Sequence, residues 1–253
     1  MIRANTFKAK LRTRRQAVGC WLYLGEASIT EVLGSAGFDA FLVDQEHGQG
    51  ALSEALPQLR AAAPFPTTML VRVASHDPAG IKRVLDAGFE GVIVPGVESA
   101  EQARAVVDAC RYPPAGRRGA AGMVRAGDYG RGWTDYLRQH VAELMIIVQI
   151  ESAAAVERVP EIARVEGIDM LFIGPLDLSA SIGKPGQFDD PEVAALLDRA
   201  ERAIKASGKW LGGIELGASD RLLKRGYDAV FVTSDLNLLR DGARKLLTDL
   251  AKT

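Results

Sequence analysis

Short runs of consecutive apolar residues alternate along the chain with longer stretches in which apolar positions recur every three or four residues. The runs are VGCWLYL (18–24), AFLVDQE (40–46), TMLVRV (68–73), GVIVP (91–95), LMIIVQIE (144–151), MLFIG (170–174), KWLGGIE (209–215) and AVFVTSD (229–235). Strands of a parallel sheet are covered on both faces and so read as unbroken apolar runs, whereas the helices between them keep one polar face. Eight such units predict an α/β fold of the (β/α)8 TIM-barrel type, with residues 1–253 forming one barrel domain.

Four of the runs follow the phrases AGFD, AGFE, VEGID and RGYD, where a glycine supplies the left-handed cap that ends a helix before the next strand begins. The basic first segment, MIRANTFKAKLRTRRQAVG, lacks the apolar stretch of a signal peptide and is expected to form a short solvated helix over the barrel bottom. Residues 110–143 make the longest connection, rich in Gly, Arg and aromatics, and matching no phosphate-loop pattern; a lid or a subunit contact is expected there. The last segment, LNLLRDGARKLLTDLAKT, has the periodicity of a helix that must pack on something.

Composition narrows the function. A formal charge of −1 and 25% charged residues give no overall field for nucleic acid or an anionic membrane, so a small molecule is the expected partner. No stretch reaches the roughly 18 apolar residues of a membrane span. Cys20 and Cys110 are too few and too far apart for a disulfide framework or a thiolate metal site; both read as packing residues in a reducing, cytoplasmic setting.

In a TIM barrel the chemistry sits at the carboxyl ends of the strands. Asp44, Gln45, Glu46 and His47 follow the second run, Arg72 closes the third, Gln149 and Glu151 close the fifth, and Asp177 follows the sixth. Glu151 and Asp177 would share one rim, where two unpaired carboxylates repel, and a divalent cation with oxygen ligands (Mg2+, Mn2+ or Co2+) would relieve them. Alternatively each acid pairs with an arginine or caps a helix, and Asp177 before LSAS is a fair N-cap. His47 is a candidate general base, with Asp44 or Asp86 to orient its ring. Arg72, set within an apolar strand, needs an anion: a substrate carboxylate, a developing enolate oxygen, or an internal carboxylate such as Glu46 or Glu151. His76 in SHDPAG reads as a loop bystander and His140 as part of a solvated helix face. No lysine falls at a strand's carboxyl end, since Lys209 begins its strand at the other end; this disfavours an imine mechanism, and no organic cofactor motif is present.

With those residues in place, the chain resembles the HpcH/HpaI family of metal-dependent 2-keto-acid aldolases. GFDAFLVDQEHG, LVRV, GVIVPGVESAEQA, RYPPAGRRG, VQIES, IDMLFIGPLDLSASIG and PGQFDDPEV match its successive blocks along nearly the whole length. The resemblance implies reversible aldol cleavage of 4-hydroxy-2-oxo acids to pyruvate, or hydroxypyruvate, and an aldehyde through an enolate. It implies metal ligands at Glu151 and Asp177, a base at His47 assisted by Asp44, and pyruvate binding by Arg72 and Gln149. Backbone amides around Gly174, Leu176 and Asp177 would hold the substrate carboxylate. It further implies a homohexamer, a trimer of dimers that exchange C-terminal helices, with Asp86 in the base network or at an intersubunit site. Gln45 replaces a smaller residue of related members and would alter space beside His47. Trp21 and Ile214 are candidates for the aldehyde pocket or, equally, for barrel packing, whereas Trp210 belongs near the barrel bottom. A malyl-CoA or citramalyl-CoA type lyase and a noncatalytic keto-acid-binding barrel are the competing readings.

Overall fold

The structure, a computed structural model, describes residues 3–217 and 219–252. Eight parallel strands close into a barrel in chain order: β1 (Ala17–Leu22), β2 (Ala40–Asp44), β3 (Thr68–Arg72), β4 (Gly91–Val94), β5 (Met145–Ile150), β6 (Met170–Ile173), β7 (Trp210–Ile214) and β8 (Ala229–Ser234). The helices are α1 (Thr6–Arg12), α2 (Ala27–Gly34), α3 (Leu52–Ala61), α4 (Pro78–Ala87), α5 (Ala100–Cys110), α6 (Trp133–Glu143), α7 (Ala153–Glu157), α8 (Val159–Ala163), α9 (Pro175–Ala180), α10 (Pro191–Ser207), α11 (Arg221–Lys224) and α12 (Asp235–Leu250). All eight apolar runs are strands. Most of the ladders stop short of the runs' carboxyl ends, because there the chain turns out to build the rim.

Alternation along each strand separates two cores. Trp21, Leu42, Leu70, Ile93, Ile147, Phe172 and Phe231 fill the barrel, while Cys20, Phe41, Val71, Val92, Val148 and Leu171 face the helices. The interior is tight enough that a Cβ on Gly19 would lie 2.4 Å from the Phe231 ring.

The Gly-x-acid phrases do two jobs. Gly37, Gly88, Gly167 and Gly226 all have positive φ, as the helix-ending reading requires. The acid two residues later then accepts the first free N–H of the preceding strand: Asp39 from Val18 (2.8 Å), Glu90 from Met69 (2.7 Å), Asp169 from Ile146 (2.9 Å) and Asp228 from Leu211 (2.8 Å). Each even strand is thereby latched to its odd neighbour at the bottom of the barrel.

Helix α1 is keyed to three of those acids and is a plug rather than a solvated cover. Lys10 bonds Asp39 at 2.7 Å, Lys8 pairs with Asp169 at 2.9 Å, and Arg3 Nε stands 3.6 Å from Glu90. Phe7 and Leu11 are buried in the barrel mouth. Burial pushes the Glu90 carboxyl up to about 7, against the pull of Arg3 and of the Met69 amide. A carboxyl raised on folding favours the fold fully below its unfolded value, and that contribution is lost as pH rises through about 7. Glu90→Gln should therefore flatten the fall in unfolding free energy between about pH 4.5 and 7 by roughly 3 kcal/mol. Chemical denaturation of both proteins across that window checks it; parallel pH profiles would contradict it.

Two further expectations are corrected here. His140 is not on a solvated face: it is 6% exposed, packed 4.9 Å from the Tyr112 ring and 5.5 Å from Tyr136, and burial lowers its pKa. The 110–143 segment is not a lid over this barrel's carboxyl rim. It links a helix to the next strand, which places it at the amino end of the sheet, and it folds around Arg118 into a 3-10 turn (Arg125–Gly130) and α6. The Arg118 guanidinium bonds Asp86 at 2.6 Å and the Tyr136 hydroxyl at 2.9 Å, with its carbon 4.6 Å from the Tyr112 ring centre.

Candidate active site at the carboxyl rim

Arg72 organises the rim. As the last residue of β3 it lies beside Asp44, the last of β2, in direct register. Its Nε and Nη2 donate to the two Asp44 oxygens at 2.9 and 2.6 Å, and Nη1 meets Glu46 Oε2 at 2.8 Å. Only the two Asp44 contacts have hydrogen-bond geometry and Glu46 is held as an ion pair, so three of the five guanidinium N–H groups carry no hydrogen bond. The guanidinium carbon lies 4.8 Å from the Trp21 ring centre, so the indole supports it from inside the barrel. Burial alone would raise the Asp44 carboxyl, but the Arg72 fork and the amides of Glu46 and His47 outweigh it and hold the group below its ordinary value. The internal-carboxylate reading of Arg72 thus holds for Glu46, while Asp44, which that reading did not name, takes the guanidinium fork, and spare donors remain.

Asp44 does not orient the His47 ring. Its Oδ1 takes the backbone amides of Glu46 (2.9 Å) and His47 (3.3 Å), which shapes the loop instead. The imidazole is 63% exposed, with Nε2 3.9 Å from Glu46 Oε2. Asp86 is also corrected within the chain, since α4 runs antiparallel to the strands and ends at the barrel bottom, where Arg118 holds Asp86. Gln45 follows Asp44 by one residue and so falls on the opposite side of the strand direction, away from Arg72; its Nε2 is buried without a partner among the described residues.

Across the rim, Glu151 Oε1 accepts the amide of Gly96 and its Oε2 accepts Gln149 Nε2 at 2.9 Å. Burial pushes its carboxyl up to about 7, and the charges of Glu46 and Asp177 add to this against the Gly96 amide. Gly174 leaves room for both side chains: a Cβ there would lie 2.8 Å from Glu151 Oε2 and 3.1 Å from Gln149 Nε2 and would displace them. Asp177 is exposed in the first turn of α9 and is not its N-cap, which is Gly174. Pro175 opens that helix, so the amides of Leu176 and Asp177 stand ahead of the first helical bond, Leu178 to Gly174 at 3.0 Å.

These residues suit a hard divalent cation. Glu151 carries a charge that its surroundings penalise, Asp177 adds a second carboxylate, and the buried Gln149 Oε1 has no partner among the described residues. No group of three or more His, Cys, Asp or Glu side chains is poised for a metal among the described residues, so a cation would complete its shell with substrate and water.

Of the two readings open for Trp21, barrel packing holds: it is 2% exposed and packs on Phe172 and Phe231 beneath Arg72. Ile214 is half-buried on the same interior cluster, as is Trp210 near the start of β7. Tyr23 had no role in the sequence reading, yet it stacks on Trp21 at 6.0 Å; burial and then the Asp44 charge push its phenol up to about 12. Its signal was available, because two residues past Trp21 on a strand is the same face. His76 lies in the loop before α4, as the sequence reading has it, and lines an open cleft of about 520 Å3 with Glu46, Pro95, Gly96 and Glu151.

A family model described as HpcH/HpaI aldolase/citrate lyase matches residues 17–242. The chain is 41% identical over 247 residues to a 4-hydroxy-2-oxo-heptane-1,7-dioate aldolase of Escherichia coli, covering 96% of this chain and 93% of that one. It is 40% identical over 244 residues to a hydroxypyruvate/pyruvate aldolase of Sagittula stellata, covering 94% and 95%. Among solved structures, a HpcH/HpaI aldolase/citrate lyase family protein from Burkholderia cenocepacia superposes with a TM-score of 0.93 at 36% identity, covering 98% of this chain and 99% of that one.

Proposed function

The chain belongs to the HpcH/HpaI aldolase/citrate lyase family, and from that premise we propose that it cleaves 4-hydroxy-2-oxo acids reversibly to pyruvate and an aldehyde. It is a carbon–carbon lyase. The observation that carries this reading is Arg72, with N–H groups not used by Asp44, on the same rim as Glu151, a carboxylate that burial disfavours in its charged form. Glu151 and Asp177 are the residues that would hold a divalent cation, Mg2+, Mn2+ or Co2+, and when bound it would supply Lewis-acid polarisation of the 2-keto group. The amides of Leu176 and Asp177 bind the substrate carboxylate. Arg72 donates to the keto oxygen and shares the negative charge that grows there. His47 takes the proton of the 4-hydroxyl, directly or through water. The C3–C4 bond then breaks, its electron pair passes into the enolate, the aldehyde departs, and protonation at C3 yields pyruvate. Hydroxypyruvate in place of pyruvate adds one hydroxyl at C3 and leaves these roles unchanged.

Pyruvate and aldehyde released in equal amounts from a 4-hydroxy-2-oxo acid test the assignment, and a purified protein that releases neither sinks it. His47→Gln should lower kcat by about 10²-fold, the low end for a general base, because the ring is exposed and only loosely held by Glu46. Near-normal turnover of that variant would remove His47 from the mechanism.

The protein also needs a second copy of itself. Beyond Asp235, whose carboxylate takes the Tyr23 and Leu24 amides, α12 leaves the barrel surface. Leu239, Leu246, Leu247 and Leu250 are 56–68% exposed on it, an apolar stripe that water does not stabilise. A partner subunit covering that stripe fits a homohexamer with exchanged C-terminal helices. Light scattering should give an assembly larger than one chain, and Leu246→Glu with Leu247→Glu should shift it toward monomer; a monomeric parent protein would contradict this. No helix among the described residues is long and apolar enough to cross a membrane. The buried thiols of Cys20 and Cys110, both pushed up to about 12 by burial, are unreactive and suit the cytoplasm.

A further inference from the structure

We infer that His76 and Ser75 form the subsite that reads the aldehyde half of the substrate, and that they select an aldehyde carrying a hydroxyl group next to its carbonyl. The inference rests on the aldolase reading above. The cleft of about 520 Å3 has Glu46 and Glu151 at its reacting end and Ser75, His76 and Asp77 on its outer wall. Glu151 lines this cleft and Asp177 does not, so a three-carbon keto acid held between them lies at its edge and leaves the space along the wall for the rest of the substrate. The wall is close to the chemistry: the point one carbon off Gly96 lies 3.8 Å from Glu151 Oε1 and 3.8 Å from His76 Nε2.

Hydrogen bonding fixes what the wall presents. His76 Nε2 contacts the carbonyl oxygen of Pro95, and a carbonyl only accepts, so Nε2 carries the proton. In the neutral ring Nδ1 then keeps a lone pair, which bonds no described residue. Ser75 Oγ accepts the Asp77 amide at 3.3 Å and keeps its own hydrogen to donate. The Asp77 carboxylate caps α4 by accepting the amides of Ala79 (3.1 Å) and Gly80 (3.0 Å), one on each oxygen, and keeps acceptor capacity beyond them. The wall therefore offers both kinds of partner on three successive residues, acceptors at His76 Nδ1 and Asp77 and a donor at Ser75 Oγ. A hydroxyl, which donates and accepts through one oxygen, satisfies both, whereas an alkyl group leaves both unpaired.

The test compares lactaldehyde with propanal as partners for pyruvate in the addition direction. The two differ by one hydroxyl, which also makes the carbonyl more electrophilic. The quantity read is accordingly the ratio of their kcat/KM values in the parent protein divided by that ratio in a variant. His76→Phe should lower the lactaldehyde preference by about tenfold, and Ser75→Ala by several-fold, chiefly through the KM for lactaldehyde. An unchanged ratio in both variants overturns the assignment, as does an equal loss with both aldehydes in His76→Phe. A parent protein that adds pyruvate to neither aldehyde overturns the aldolase reading itself, and this inference with it; turnover of both without any shift in the ratio overturns the subsite alone.

Discussion

Replacing Arg72 with Met should lower kcat/KM by about 10³-fold, the cost of removing a charge-stabilising donor from a dry site. The guanidinium is the one cation that contacts both Asp44 and Glu46 within 3 Å among the described residues, and it keeps N–H groups that Asp44 does not use. The same change should weaken the fold by about 3–5 kcal/mol, since it leaves Asp44, with a side chain 0% exposed, as a buried charge without its partner. The two effects separate in a second variant. Arg72→Met combined with Asp44→Leu removes both charges, so it should recover much of the stability and none of the activity. Steady-state kinetics and denaturant melts of the three proteins check this. Activity restored in the double variant would show that Arg72 matters only as the counterion of Asp44.

Glu151→Gln should cost at least as much, about 10³-fold or more in kcat/KM, but for a different reason. Glutamine keeps the shape and can still accept from Gly96; its amide nitrogen replaces the oxygen that accepts Gln149 Nε2, so Gln149 must turn its own amide to pair again, and the main change is the loss of charge. The protein should remain folded. It should even gain slightly, because the charged form is the one that burial and the Glu46 and Asp177 charges disfavour. What it loses is the capacity to hold a divalent cation, read by calorimetric titration of Mn2+ into metal-free protein. A Glu151→Gln protein that binds Mn2+ as its parent does, or that turns over substrate at a similar rate, would contradict the assignment of Glu151.

The barrel was legible because its signal is repeated. Eight apolar runs and four Gly-x-acid phrases report the same geometry, so an error in one element is outvoted. The residues at the carboxyl ends of the runs were legible for the same reason: once the barrel is inferred, Asp44, Arg72, Gln149 and Glu151 fall on one rim by strand direction alone. What the sequence withheld depends on side-chain reach across elements. Nothing local says that Asp44 spends its oxygens on Arg72 and two amides rather than on the His47 ring, or that Asp86 meets Arg118 at the far end of the barrel. The neighbours of His76 were hidden for a related reason. The Asp77–Pro78 pair located the start of α4 correctly, but the direction of the preceding loop is set by Pro95 and Gly96, nineteen and twenty positions on, a contact that the local pattern does not encode. The plug role of α1 rests likewise on long-range pairs, Lys8 with Asp169 and Lys10 with Asp39.

The most direct test of the account is pyruvate release from a 4-hydroxy-2-oxo acid by protein stripped with EDTA and then given Mg2+, Mn2+ or Co2+ one at a time. The account predicts that turnover disappears on stripping, returns with at least one of the three ions, and does not return in Glu151→Gln. Undiminished turnover by protein shown to be free of metal would contradict the roles given to Glu151 and Asp177.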